Sequence, residues 1–287
     1  MITLTAGRLR LELRPEIGGS ISEFRLDDQP LLRPTSEEAV AALGARGCAS
    51  YPLVPYSNRL RDNRFTFAGQ TYDLPVAFNG QAIHGVGWRR PWQVDAHGTD
   101  RATLAYEHAP DADWPFAFRA QQDFTLDAGG LSCRFTVTSL APHAAPVGFG
   151  PHPFFARPPG TRLRFTAARV WLQDDRRITT TAIPVPAEWD FSRERPIGET
   201  VLDHCFTDWG GRAEIILPYA SIALTAEAAF RHLIVFLPEG RDFFAVEPVT
   251  NLTDGLNRMD SEPTSNIFVL DPGESRDASF RLAVSAP

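Results

Sequence analysis

Apolar and polar residues alternate along much of the chain. Leu131, Cys133, Phe135 and Val137 are interleaved with Ser132, Arg134, Thr136 and Thr138, the period of a strand with one buried face. The same period predicts strands over Leu9–Leu13, Ala102–Tyr106, Leu163–Ala167, Ile222–Ala226, Leu233–Leu237 and Phe280–Val284. Between them lie Ala128-Gly129-Gly130, Pro158-Pro159-Gly160, Gly210-Gly211 and Pro238-Glu239-Gly240, residue types that turns require. One helix is predicted, Glu37–Leu43, with Thr35 or Ser36 placed to cap its free amides and Gly44 placed to end it. Strand–helix–strand units do not repeat, which excludes Rossmann and TIM-barrel folds. No linker, charge block or fixed-period repeat divides the 287 residues. The pattern predicts an all-β chain folded as one large antiparallel domain over residues 1–287.

Composition narrows the function. Hydrophobic residues make up 43% of the chain and there are 20 phenylalanines, enough apolar surface for a substantial core. The formal net charge of -7 is the wrong sign for binding a phosphate backbone. All 28 basic residues are arginine. Without lysine, Schiff-base catalysis, a pyridoxal-phosphate anchor and a Walker lysine are excluded. Met1-Ile2-Thr3-Leu4-Thr5 has no basic segment leading into an apolar run, and no stretch approaches the roughly 18 apolar residues of a membrane span; a cytoplasmic location is expected. Cys48, Cys133 and Cys205 are scattered, odd in number and without a C-x-x-C pair. They are expected to be buried, reduced thiols rather than disulfides or metal ligands.

Four segments look unlike ordinary strand or turn: Pro55-Tyr56-Ser57-Asn58-Arg59, Ile83-His84-Gly85-Val86-Gly87-Trp88, Gly148-Phe149-Gly150-Pro151-His152-Pro153-Phe154-Phe155 and Phe244-Ala245-Val246-Glu247-Pro248-Val249-Thr250-Asn251. Read singly, His84 is a satisfied core histidine and Arg59 a surface residue. Glu247 resists that reading, because a carboxylate after Phe243, Phe244, Ala245 and Val246 must be paired or have a raised pKa. At His152 the flanking prolines fix the local backbone and help to aim the imidazole. Together these residues offer an acid–base pair, an arginine and a second histidine. There is no H-x-H or H-E-x-x-H, no G-x-S-x-G elbow and no phosphate loop. Proton transfer without a metal or cofactor is the chemistry left.

These residues, in this order, resemble the aldose 1-epimerases, the galactose mutarotase-like proteins. The resemblance runs through Gly18-Gly19-Ser20-Ile21, Asn58-Arg59, Ile83-His84-Gly85, His152-Pro153-Phe154-Phe155, Leu202-Asp203-His204-Cys205-Phe206, Glu247-Pro248-Val249-Thr250-Asn251 and Leu270-Asp271-Pro272-Gly273-Glu274. It implies a large antiparallel β-sandwich with a sugar cleft on one sheet. It also implies that His152 is the general acid on the ring oxygen and Glu247 the base on the C1 hydroxyl of an aldohexose. Arg59, His84 and Asp203 then hold hydroxyls, with Asn58 a neighbouring candidate. Glu247 is expected to be ionised and His152 charged in one state, each favouring the other. Phe154, Trp88 or Trp209 would form an aromatic floor.

Two other readings stand beside this one: a non-catalytic carbohydrate-binding or sugar-sensing module on the same fold, and a glycoside hydrolase with Asp203 as the second acid. Within the epimerase reading, a 6-phosphorylated or 6-sulfonated hexose would need an arginine near C6. Arg61, Arg89 and Arg90 are the candidates, the last two in an arginine- and tryptophan-rich segment, Trp88 to Trp92. No partner beyond the sugar is expected, and either a monomer or a homodimer fits.

Overall fold

The computed structural model describes residues 1–286. Every segment whose alternation predicts a strand forms one, usually longer than its pattern, as with Arg101–His108, Arg162–Gln173 and Ser275–Ser285. The strands pair antiparallel into a 13-stranded sheet. Its continuous path runs Phe154–Ala156, Phe243–Val249, His232–Leu237, Leu202–Leu217, Ala220–Ala226, Ser275–Ser285, Gly130–Ser139, Phe118–Asp127, Arg101–His108 and Gln93–His97. A four-stranded sheet from the first thirty residues, Ile2–Ala6, Leu9–Arg14, Ser20–Leu26 and Gln29–Pro30, contributes Leu4, Leu11, Leu13 and Phe24 to the main core.

The helix is Glu37–Leu43 as predicted, with the Ser36 hydroxyl accepting from the Ala39 amide at 3.1 Å and Gly44 at φ 59° closing it. Such local capping is legible without tertiary information. Gly210-Gly211, in contrast, is not a turn. Both lie inside the 16-residue strand Leu202–Leu217. At this point the strand changes one neighbour, from His232–Leu237 to Ala220–Ala226, and the register against Arg162–Gln173 shifts. Gly211, at φ +69°, takes the left-handed conformation that such a bulge uses.

The central strands bury both faces. Leu233, Val235 and Leu237, with Phe244 and Val246, point into the main core, whereas Ile234 and Ala245 belong to a second, smaller cluster on the opposite face with Tyr51, Leu53, Trp88, Phe154 and Cys205. Burial on both sides explains the unbroken apolar runs Leu233-Ile234-Val235-Phe236-Leu237 and Phe243-Phe244-Ala245-Val246. It also makes Glu247, one step further on the second face, the exception that needs an account. Cys48, Cys133 and Cys205 are free and buried. Among the described residues no helix is long and apolar enough to cross a membrane.

Candidate active site

Asn58, Arg59, His84, His152, Asp203 and Glu247 all line one cleft of about 540 Å³ over the second face of the large sheet, within the usual range for small-molecule sites. Strand register lays out its floor. Cys205, Ile234 and Glu247 form one row across three neighbouring strands; Asp203, Phe236, Ala245 and Phe154 form the next. Asp203 therefore stands at one wall and Phe154, with His152 just before it in the chain, at the other.

The His152 backbone is pinned as well as flanked by prolines. Its amide donates to the Tyr51 carbonyl at 3.0 Å, and the Phe154 amide donates to Ala49 at 2.9 Å. The imidazole is stacked on Tyr51, with centroids 4.6 Å apart, and contacts the Phe154 ring at 4.4 Å. Its Nε2 lies 3.3 Å from Glu247 Oε1. His152 Nδ1 and Glu247 Oε2 are both buried without a hydrogen-bond partner. Leaving two such atoms orphaned costs about 1–3 kcal/mol each, a cost that a bound polar ligand would relieve.

Burial sets the charge state. It pushes Glu247 well above the usual carboxyl range, with the like charge of Asp203 adding to the rise and Arg59 opposing it. Burial also pushes His152 well below the usual imidazole range, reinforced by the positive charges of Arg33, Arg46 and Arg59. The expected carboxylate–imidazolium pair is thus disfavoured at rest, because desolvating two charges outweighs their attraction. The neutral pair carries the same number of protons, so moving one proton interconverts the two states.

His84 is fixed by Asn58. The Asn58 amide donates to His84 Nδ1 at 3.0 Å, and the His84 amide donates back to the Asn58 carbonyl at 2.9 Å. With Nδ1 accepting, the neutral ring carries its proton on Nε2 and can donate into the cleft. Burial, then the neighbouring His152 and Arg59, keeps His84 well below the usual imidazole range. Gly85 follows at φ +65°, and a Cβ there would lie 2.2 Å from the Val54 carbonyl oxygen, so the loop depends on glycine. Asn58 Oδ1 accepts from the Arg59 amide at 2.9 Å and from Arg59 Nη1 at 3.2 Å. Asn58 thereby positions both neighbours. Asp203 accepts from Arg177 Nη1 at 2.5 Å.

The residues after Glu247 tie these pieces together. Thr250 exchanges hydrogen bonds with Phe149, through its amide at 2.9 Å and its hydroxyl at 2.8 Å. Asn251 accepts from the Ser57 amide at 3.0 Å and donates to the Ser57 carbonyl at 3.2 Å. Asp254, which no sequence signal distinguishes, accepts from the Arg61 amide at 2.9 Å. The strand bearing the carboxyl is thus bonded to the segments that carry His152 and Arg59.

Several expectations change. Of the three aromatic floor candidates only Phe154 reaches the cleft. Trp88 packs behind Tyr51, and Trp209 is buried elsewhere, donating to the Phe230 carbonyl at 2.6 Å. Arg89 and Arg90 are not site residues either: both pair with Asp113, and Arg90 also with Asp111. Arg61 pairs with Asp174 and Asp254. The cleft arginines besides Arg59 are Arg33, Arg46, Arg177 and Arg241, residues without a local motif.

The description aldose 1-epimerase belongs to a family model that matches residues 1–283. The chain belongs to the aldose 1-epimerase family. YphB, an uncharacterized protein of Escherichia coli K12, is 32% identical over 295 residues, covering 98% of each chain. A solved Escherichia coli K12 structure, itself only provisionally described as an aldose 1-epimerase, is 30% identical with a TM-score of 0.89, covering 99% of this chain and 98% of that one. A galactose mutarotase-like protein of Clostridium acetobutylicum has a TM-score of 0.86 at 18% identity, covering 99% of this chain and 95% of that one. This family member therefore has the galactose mutarotase-like antiparallel β fold that its alternation and motifs led us to expect.

Proposed function

We propose that the protein is a cofactor-free mutarotase that interconverts the α and β anomers of an aldohexose, with His152 as general acid and Glu247 as general base. The observation that carries this reading is the 3.3 Å approach of His152 Nε2 to Glu247 Oε1. The two groups are close enough to reach the adjacent ring oxygen and C1 hydroxyl of one pyranose. Glu247 takes the hydroxyl proton, and the O–H electrons become the second bond of the aldehyde. The bond from C1 to the ring oxygen breaks with its electrons on that oxygen, which takes the His152 proton. Rotation about C1–C2 and reversal of these transfers close the other anomer.

Ring opening converts the ion pair into the neutral pair, the state that burial favours. The cleft therefore assists the step in which charge disappears. The His84 Nε2 proton can donate to the ring oxygen or a hydroxyl, Arg59 and Asp203 hold further hydroxyls, and Phe154 packs an apolar sugar face. A binding module would not require an acid and a base held in contact with their outer atoms unpartnered.

The test is the approach of a freshly dissolved pure anomer to equilibrium, followed by polarimetry or NMR exchange with chelator present and no nucleotide added. Acceleration over buffer supports the reading. No acceleration of any neutral or anionic aldose would transfer the weight to the binding module.

A further inference from the structure

The charges in the cleft do not balance. Arg177 is paired with Asp203, and Glu247 lies 3.3 Å from His152, the two sharing one proton and carrying no net charge between them. Arg33, Arg46, Arg59 and Arg241 then face only the carboxylate of Asp242, which makes no ion pair with any of them among the described residues. Arg33 is held by the Cys48 carbonyl, at 3.0 Å from Nε and 2.7 Å from Nη2, and by the Arg46 carbonyl. Nη1 is left over. The Arg33 guanidinium lies over the Phe154 ring at 3.7 Å and near Phe243 at 4.7 Å. Arg46 lies over Phe78 at 3.2 Å. Half-buried guanidinium groups without carboxylates are costly unless a ligand supplies the anion.

Their position relative to the acid–base pair is set by the sheet. Phe243 and Glu247 share one face of one strand and so stand about 13 Å apart. His152 and Phe154 lie along the wall between them. With the ring oxygen at His152 and the C1 hydroxyl at Glu247, C2 faces the Arg59–Asp203 wall. C5 and its exocyclic carbon then continue along the opposite wall, past Phe154. This orientation rests on the acid and base roles given to the pair above.

We propose that the outer part of the cleft, between Arg33, Arg46 and Arg241, receives an anionic group (phosphate, sulfonate or carboxylate) carried on the exocyclic carbon of the sugar. Arginine suits all three, since its planar fork donates two parallel hydrogen bonds to paired oxygens. A cationic cleft on a chain of net charge -7 also draws an anionic substrate to that one place.

The test separates binding from turnover. The non-reacting analogues 1,5-anhydroglucitol and its 6-phosphate are titrated calorimetrically, and anomer exchange is measured for glucose, glucose 6-phosphate, 6-deoxy-6-sulfoglucose and glucuronate. The phosphorylated analogue should bind about 10- to 100-fold tighter than the neutral one, the contribution of one or two charge-assisted hydrogen bonds. Arg46→Gln and Arg241→Gln should each remove much of that ratio. They are preferred to Arg33 variants because Arg33 also holds two backbone carbonyls. The exchange rates show which anion is favoured. Equal binding of the two analogues, or variants that weaken both equally, would overturn the proposal even if glucose is turned over. Tighter binding of the phosphate with no exchange of any aldose would leave the anion site standing and remove the mutarotase reading.

Discussion

His152 and His232 are both buried histidines, and burial lowers the pKa of each, that of His232 to about 4. His232 is satisfied on both sides. Its Nδ1 is 2.8 Å from the Thr207 hydroxyl, which also accepts from Trp171, and its Nε2 is 2.7 Å from the Thr264 carbonyl. His152 has an orphaned Nδ1 and faces a carboxyl with an orphan of its own. Desolvation alone does not mark a site. The unfinished hydrogen bonding around His152 is what separates a reactive pair from a structural one.

The strongest way to break that comparison is to mutate the cleft pair. Glu247→Gln and His152→Gln should each lower turnover about 10²- to 10⁴-fold with the fold retained, as measured by NMR anomer exchange and circular dichroism. The double variant should lose far less than the product of the single losses, because both residues serve one step. Near-normal turnover in either single variant would place the proton carriers elsewhere.

The pH profile sharpens the same point. With Glu247 raised and His152 lowered, the active pair holds one transferable proton between two macroscopic pKa values. The acid limb of kcat/KM should come from protonation of His152 beside a neutral Glu247, and the alkaline limb from loss of the Glu247 proton. The residual activity of Glu247→Gln should lack the acid limb and fall only as pH rises and His152, still the general acid, gives up its proton. Loss of the variant's residual activity on acidification would instead show that His152 is not the proton donor.

At the opposite wall, Asp203→Ala should raise KM about 10- to 100-fold, the usual range for a hydrogen bond to a charged group, with a smaller effect on kcat. His232→Ala should behave in the reverse way. A loss of about 1–3 kcal/mol in urea unfolding is expected, with turnover per folded molecule kept. A deep loss of kcat in the His232 variant would erase the distinction between the two histidines.

The smallest effect tests the burial of Glu247. Its native carboxyl lies above the unfolded value of about 4.3, so its contribution is present below that pH and is lost as pH rises. Glu247→Gln should therefore gain stability over wild type at neutral pH, and the gain should vanish near pH 4. A constant difference across that range would mean that the carboxyl is not desolvated.

What could be read from the sequence lay in short stretches. Alternation marked the strands because a half-buried strand repeats every two residues. Ser36 and Gly44 bounded the helix because caps act within one turn. His152 and Glu247 stood out because a proline-flanked imidazole and a carboxylate ending an apolar run are locally anomalous. Where the signal was ambiguous the structure decided: glycine with positive φ serves turns and bulges alike, so Gly210-Gly211 could be assigned only once the strand partners were known. Arg33, Arg46, Arg177 and Arg241 carry no local pattern, and Arg89 and Arg90 carried a misleading one. Which arginines face the cleft depends on pairings such as Phe154 with Ala245 and Ile234 with Glu247. The tertiary structure also decided the charge state of the acid–base pair, because desolvation belongs to the surroundings a residue is folded into and not to its neighbours in the chain.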